Sequence, residues 1–189
     1  MSGELKGGGA SLISDSGGTI LQVKQTVKTD KESQAFSGTT KNVFYFIPAQ
    51  GGSGVFQENI TITGSNKILI DVRLGLSNTG SNTSTFWSIF RGAATDTVIG
   101  SCTKIAIGTE AAGDRSATTG VTNLTGEPVM IDSQSMLWLD NPGAGTYYYK
   151  IGWGGENSTS GVINRSDDDT DVYYTGSTPS TITLMEVAV

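Results

Sequence analysis

Hydrophobic and polar residues alternate along most of this chain. The run "KILIDVRLGL" sets Ile68, Ile70, Val72, Leu74 and Leu76 against Lys67, Leu69, Asp71, Arg73 and Gly75. A strand turns successive side chains to opposite faces, so a period of two over ten residues predicts a half-buried strand. Its second face is left to water or a partner. "TILQVKQTV" sorts the same way, with Leu21, Val23, Gln25 and Val27 on one side and Ile20, Gln22, Lys24 and Thr26 on the other. In "TFWSIFRG", Phe86, Ser88 and Phe90 oppose Trp87, Ile89 and Arg91. In "TYYYKIGW", Tyr147, Tyr149, Ile151 and Trp153 form a core face, and Tyr148, Lys150 and Gly152 an exposed face with a single ring.

Shorter β runs fill the rest: "VFYFI" before Pro48, "VFQENITIT", "TVIGS", "KIAIG", "PVMIDSQSMLWLD", "GVINRS", "VYY" and "STITLMEVAV". Gly/Asn/Ser turns such as "GSN" and Asn141-Pro142-Gly143 separate them. No segment sustains a helical period; "KTDKESQAF" is the only polar-helical candidate. About nine to eleven short strands at this spacing predict an all-β fold, a β-sandwich or jelly roll with antiparallel strands. The polar stretch "TEAAGDRSATTGVTNLTGE" is longer than an ordinary connection and is either functional or hides a short strand. Residues 1–18 are rich in Gly and Ser around Leu12 and Ile13 and bury too little to fold alone. They read as a flexible N-terminal arm, either frayed or a tether whose Leu12 and Ile13 dock on a neighbour; 19–189 is the sandwich domain.

Composition narrows the chemistry. The 189 residues contain no His, which removes Ser-His-Asp and Cys-His catalysis and most zinc or iron sites. Charged residues are 16% and the net charge is −6. Without a basic run there is little to neutralise phosphates, so neither nucleic acid nor an anionic membrane is an expected partner. No apolar stretch approaches the length of a membrane span, and the start lacks the apolar core of a secretory signal, which predicts a route outside general secretion. The single cysteine, Cys102, reads as a small buried hydrophobe. Glu58, Asp71, Asp132, Asp140 and Glu156 are the carboxylates a glycosidase would draw on, but none lies in a catalytic signature. Asp167, Asp168, Asp169 and Asp171 have the composition of a calcium loop without its spacing. "GGSG" at 51–54 lacks the Lys and helix of a phosphate loop. No cofactor is expected.

Six pieces in order, "ILQVKQTV", "SNKILIDVRLGLSN", "FWSIFRGAATDTVIGS", "MLWLDNPGAGTYYYKIGW", "GVINRS" and "STITLMEV", resemble a β-rich module of tailed-bacteriophage structural proteins, among them tail-fibre and head-decoration proteins. The resemblance covers about residues 19–189 and does not extend to the "TEAAGDRSATTGVTNLTGE" stretch. It implies a non-enzymatic β-sandwich working as a homotrimer. It also implies anchor roles for Arg91, for Asn164-Arg165 and for Glu186, with Arg91 or Arg165 as the ion-pair partner of Glu186. The expected function is that of a capsid decoration or cement protein. Such a protein binds the major capsid protein on the outer head surface of the virion after synthesis in the host cytoplasm. The alternative is a tail-fibre or receptor-binding tip using exposed rings such as Trp87 and Tyr148 and the loop after Glu110.

Overall fold

The computed structural model describes residues 18–37, 43–79, 84–109, 116–123, 129–155, 159–173 and 175–189. The arm residues 1–17, with Leu12 and Ile13, lie outside the described residues. Alternation becomes strand almost everywhere else: β1 (Ile20–Lys28), β2 (Glu32–Ala35), β3 (Tyr45–Phe46), β4 (Gln57–Ile62), β5 (Lys67–Asn78), β6 (Thr85–Gly92), β7 (Thr103–Ile105), β8 (Gly120–Thr122), β9 (Asp132–Asp140), β10 (Gly145–Gly155), β11 (Ser160–Ile163) and β12 (Ser180–Val187). One 3-10 turn, Ile99–Ser101, interrupts them.

The strands form two six-stranded antiparallel sheets packed as a β-sandwich, with neighbours distant in sequence as in jelly rolls. β5 is the spine of the first sheet. One of its edges pairs with β12 and then β11, and the other with β9 from Ile68 to Leu76. β1 lies outside β12 and β2 outside β11. β10 is the spine of the second sheet, paired with β4 and β3 on one edge and with β6 on the other; β7 and β8 lie beyond β6.

The core lies where the alternation places it. Ile68, Ile70, Val72, Leu74 and Leu76 of β5 face Trp87 and Ile89 of β6 and Tyr149, Ile151 and Trp153 of β10, with Ile182 and Leu184 of β12 beside them. Each such side chain contributes on the order of 1.5–3 kcal/mol by leaving water.

Five local readings change. "TVIGS" contains the 3-10 turn and no strand, and the described part of "VYY", Val172 and Tyr173, is bend and turn. "KTDKESQAF" contains strand β2, because pairing with β11 carries Phe36 against Trp153, their rings 5.9 Å apart. The long polar stretch does hide a strand, β8, held on β6 through Thr85↔Thr122 and Phe86↔Val121. The second face of β10 is covered, not exposed: Lys150 is fully buried, and Gly152 lies so close to Phe90 that a Cβ would fall 2.6 Å from its ring. The cause is segment 43–47. It lays Phe44 against Phe86 and Phe90, and Phe46 against Phe90, in edge-on ring contacts of 5.1–6.0 Å. The second sheet thus has apolar cover on both faces, and the first on its inner face.

Candidate functional site

Polar side chains stitch the sheets together. Arg91, near the end of β6, extends Nη1 to both carboxylate oxygens of Asp140 at the end of β9, at 2.9 and 2.7 Å. The Tyr149 hydroxyl of β10 donates to the same carboxylate at 2.8 Å, and the Asn141 N–H adds a bond at 3.0 Å. Asp140 therefore joins first sheet to second. Burial would lower the pKa of Arg91, but hydrogen bonding and attraction to Asp140 outweigh it and hold the guanidinium charged. Burial, reinforced by the bond to Asp140, pushes the Tyr149 phenol well above its ordinary value.

Asn164 is a second anchor. Its backbone is left-handed at φ 65°, which Asn tolerates better than most residues. Its amide nitrogen donates to the carbonyls of Lys28 and Asp30, both at 2.9 Å, and its oxygen accepts the Ser180 hydroxyl at 2.6 Å. The end of β11, the turn after β1 and the start of β12 are fixed together by this one buried amide. Two lysines are fully buried nearby in sequence to strands: Lys28 pairs with Asp30 at 2.6 Å, and Lys150 donates to the carbonyls of Ala93 and Asp96.

The expected partner of Glu186 is corrected. Arg91 is taken by Asp140, and Arg165 donates to the Ser166 and Asp167 carbonyls, both at 2.8 Å. Glu186 instead accepts from Gln22 at 2.6 Å and Asn66 at 2.7 Å, which with the Thr63 N–H hold its pKa below the ordinary value. Alternation shows that Glu186 points inward, but not that β1 supplies a glutamine opposite it. Asp140 appears in the sequence only as one carboxylate among several, and its position just before the Asn141-Pro142-Gly143 turn is the one signal of an anchoring role.

Trp87 is not an exposed ring. It is 1% exposed, packed in the core, with its indole N–H 3.3 Å from Gln134. Tyr148 is half-buried. The carboxylates lie on separate elements: Glu58 accepts from Thr26, Asp71 from Arg73 and Asp132 from Gln134. Glu156 lies outside the described residues. In the acidic loop Asp169 is paired with the protein's own cations, with Lys31 2.7 Å and Arg165 3.9 Å away. Among the described residues no group of acidic or Cys side chains is arranged to hold a metal. Cys102 is half-buried; burial raises its thiol pKa, so it is a poor nucleophile. Among the described residues no helix is long and apolar enough to cross a membrane.

The outer face of the first sheet is different in kind. Leu21, Val23 and Val27 of β1 point outward, at 54%, 58% and 43% exposure, while Gln22, Lys24 and Thr26 point between the sheets. On β9, Leu137 and Leu139 point outward, at 63% and 49% exposure, while Trp138, 42% exposed at the open edge, lies opposite the buried Ile70 and belongs to the inner side. The signal for this was the run "MLWL", in which alternation fails. An open groove of about 510 Å³ runs beside them, lined by Asp71, Arg73, Ser133, Ser135, Leu137 and Pro179 among others.

The described residues define an all-β sandwich in which buried polar groups anchor strands to one another and a set of exposed apolar side chains lies on the outer face of the first sheet. No protein-family profile and no curated protein matches the chain. Among solved structures, the chain is similar to the structure of the infectious bursal disease virus Gx strain, at 12% identity and a TM-score of 0.36, covering 100% of this chain and 46% of that one. It is also similar to the infectious bursal disease virus VP2 subviral particle, at 9% identity and a TM-score of 0.37, covering 89% and 41%. The chain spans less than half the length of either.

Proposed function

We propose that this chain is a structural protein of a tailed-phage virion, acting as a head decoration or cement protein. In this reading a homotrimer binds the major capsid protein on the outer head surface and stabilises the assembled shell. The observation that carries it is the use of the polar groups: Asp140, Asn164 and Glu186 are consumed in holding strands, while apolar side chains of β1 and β9 face outward. That is the economy of a body that works by contact, and it agrees with the order of the six phage-like sequence pieces. The mechanism is mass action. A ligand that binds only the assembled shell stabilises it by RT ln(1 + [L]/Kd) at each site, about 4 kcal/mol at a thousandfold excess over Kd.

The test is location and effect. Gold-labelled antibody against the chain is expected over the heads of intact particles, and added protein is expected to raise the temperature at which undecorated heads release DNA. Label confined to the tail tip, with no shift in head stability, refutes it. One observation favours that second reading, a receptor-binding tip: Tyr173, beside the acidic loop, is 98% exposed. The rings first expected in that role, Trp87 and Tyr148, are buried and half-buried.

A further inference from the structure

Apart from the four-residue β2, the first sheet ends in two long edge strands, β1 and β9. β1 is bonded to β12 and β9 to β5, and among the described residues neither has a ladder on its other side. Proteins blunt such edges with charge, proline, bulges or short strands. The second half of β9 has none of these: Met136, Leu137, Trp138 and Leu139 follow one another. β1 has a bulge at its very start, between Ile20 and Gln22, and its two lysines, Lys24 and Lys28, are turned to Asn59 and Asp30, which leaves Leu21, Val23 and Val27 on the outer face.

Register ties the two edges together. Val23 lies opposite Met185, Met185 opposite Leu69, and Leu69 opposite Leu139. One apolar row therefore crosses all four strands on the outer face, from open edge to open edge. Leu21, Val23, Val27, Leu137 and Leu139 on this face are each about half exposed, while Trp138, opposite the inward Ile70, lies on the other side of the sheet. That is a larger apolar set than the scattered single residues normal on a monomer's surface.

Strand sense names the occupant. β1, β12, β5 and β9 alternate in direction, so β1 and β9 run antiparallel to each other. Two copies laid side by side without inversion bring β9 of one against β1 of the next in antiparallel sense, and the row Val23–Met185–Leu69–Leu139 continues from copy to copy. Both edge strands are 9 residues long.

We propose that the open β9 edge of one copy of this chain pairs with the open β1 edge of the next. Such a contact is head-to-tail: where the rotation per step divides a full turn it closes into a ring, and otherwise it propagates as a filament, whereas a like-with-like contact stops at a dimer. This deepens the self-association in the proposed function and rests on it.

The test uses the full chain and two variants, Leu139→Lys and Val23→Lys. Both positions are exposed, so each variant is expected to keep the wild-type circular dichroism and the melting temperature that the wild type shows when diluted to the monomer. By light scattering at tens of micromolar, wild type is expected to be oligomeric, and each variant alone to associate more than tenfold more weakly. The decisive sample is their equimolar mixture. Each variant retains the edge that the other lacks, so the mixture is expected to form a 1:1 dimer and nothing larger. A monomeric wild type, variants that associate like wild type, or a mixture that stays monomeric each overturns the proposal. Shell binding by a monomeric wild type would overturn this inference while leaving the decoration reading in place. A ring that never binds heads would do the reverse.

Discussion

Removing the Asp140 carboxylate should be among the most damaging single changes that leave every apolar residue in place. Asp140→Ala deletes the acceptor of three donors: Arg91 Nη1, the Tyr149 hydroxyl and the Asn141 N–H. Breaking a buried ion pair from one side costs about 3–5 kcal/mol. The Arg91 side chain is 24% exposed, so water recovers part of its solvation, and about 1–2 kcal/mol is the better figure for that component. Tyr149 is fully buried, so its hydroxyl loses its acceptor with no water to replace it, at about 1–3 kcal/mol. The expected total is about 3 kcal/mol. Tyr149→Phe removes only the donor and leaves Arg91 on Asp140, at about 1.5 kcal/mol. Because both changes remove the same bond, the double variant should be scarcely worse than Asp140→Ala, with a coupling of about 1–2 kcal/mol. Equilibrium urea unfolding followed by tryptophan fluorescence reads all three, since Trp87 and Trp153 are buried and report loss of the core. The reasoning fails if Asp140→Ala lies within about 0.5 kcal/mol of wild type, or if the two single losses add in full.

Further outcomes follow from other residues. Asn164→Ala abandons two buried carbonyls and the Ser180 hydroxyl and strains a left-handed backbone, so a loss of about 3 kcal/mol or more in the same unfolding assay is expected; a loss confined to a few tenths would mean the anchor is dispensable. Gly154→Ala places a Cβ 2.3 Å from the Val43 carbonyl oxygen, so soluble yield or stability should fall sharply, by about 3 kcal/mol at the upper end for overpacking; a normal melting curve contradicts the close approach. Glu186 has its folded pKa below the ordinary 4.5, so its contribution is present above that value and lost as pH falls through the lower folded value. Glu186→Gln should therefore flatten the stability–pH curve below about pH 5, and an unchanged slope would assign the acid sensitivity elsewhere. The Tyr149 phenol is raised, so its share of stability is present below the ordinary value of 10.0 and declines as pH rises beyond it. Tyr149→Phe should blunt alkaline unfolding, and equal alkaline midpoints would refute this.

Much of the architecture is legible in the sequence because one period governs it. β5 and β10 alternate strictly, and every apolar residue assigned inward on β5 is buried. What escapes is pairing and cover. Nothing in "TYYYKIGW" shows that Phe86 and Phe90 of β6 and Phe44 and Phe46 of segment 43–47, the latter a hundred positions away, will roof its second face. In "ILQVKQTV" the alternation is clear but its direction is not. A strand at the end of a sheet can turn its polar side inward when facing groups accept it, as Glu58, Asn59 and Thr61 do for Thr26, Lys24 and Gln22. The anchors were legible by position and not by partner: Arg91 and Glu186 both hold strands, but each with a neighbour from another part of the chain.

The pairing of β1 with β12 has a consequence for synthesis. Val23 meets Met185 across more than 150 positions, so β1 leaves the ribosome long before its partner and stays without its ladder until β12 has been made. Closing so long a loop is slow. A chain halted before Ser180 cannot complete the first sheet, so closure by β12 acts as a check that translation has passed through that strand.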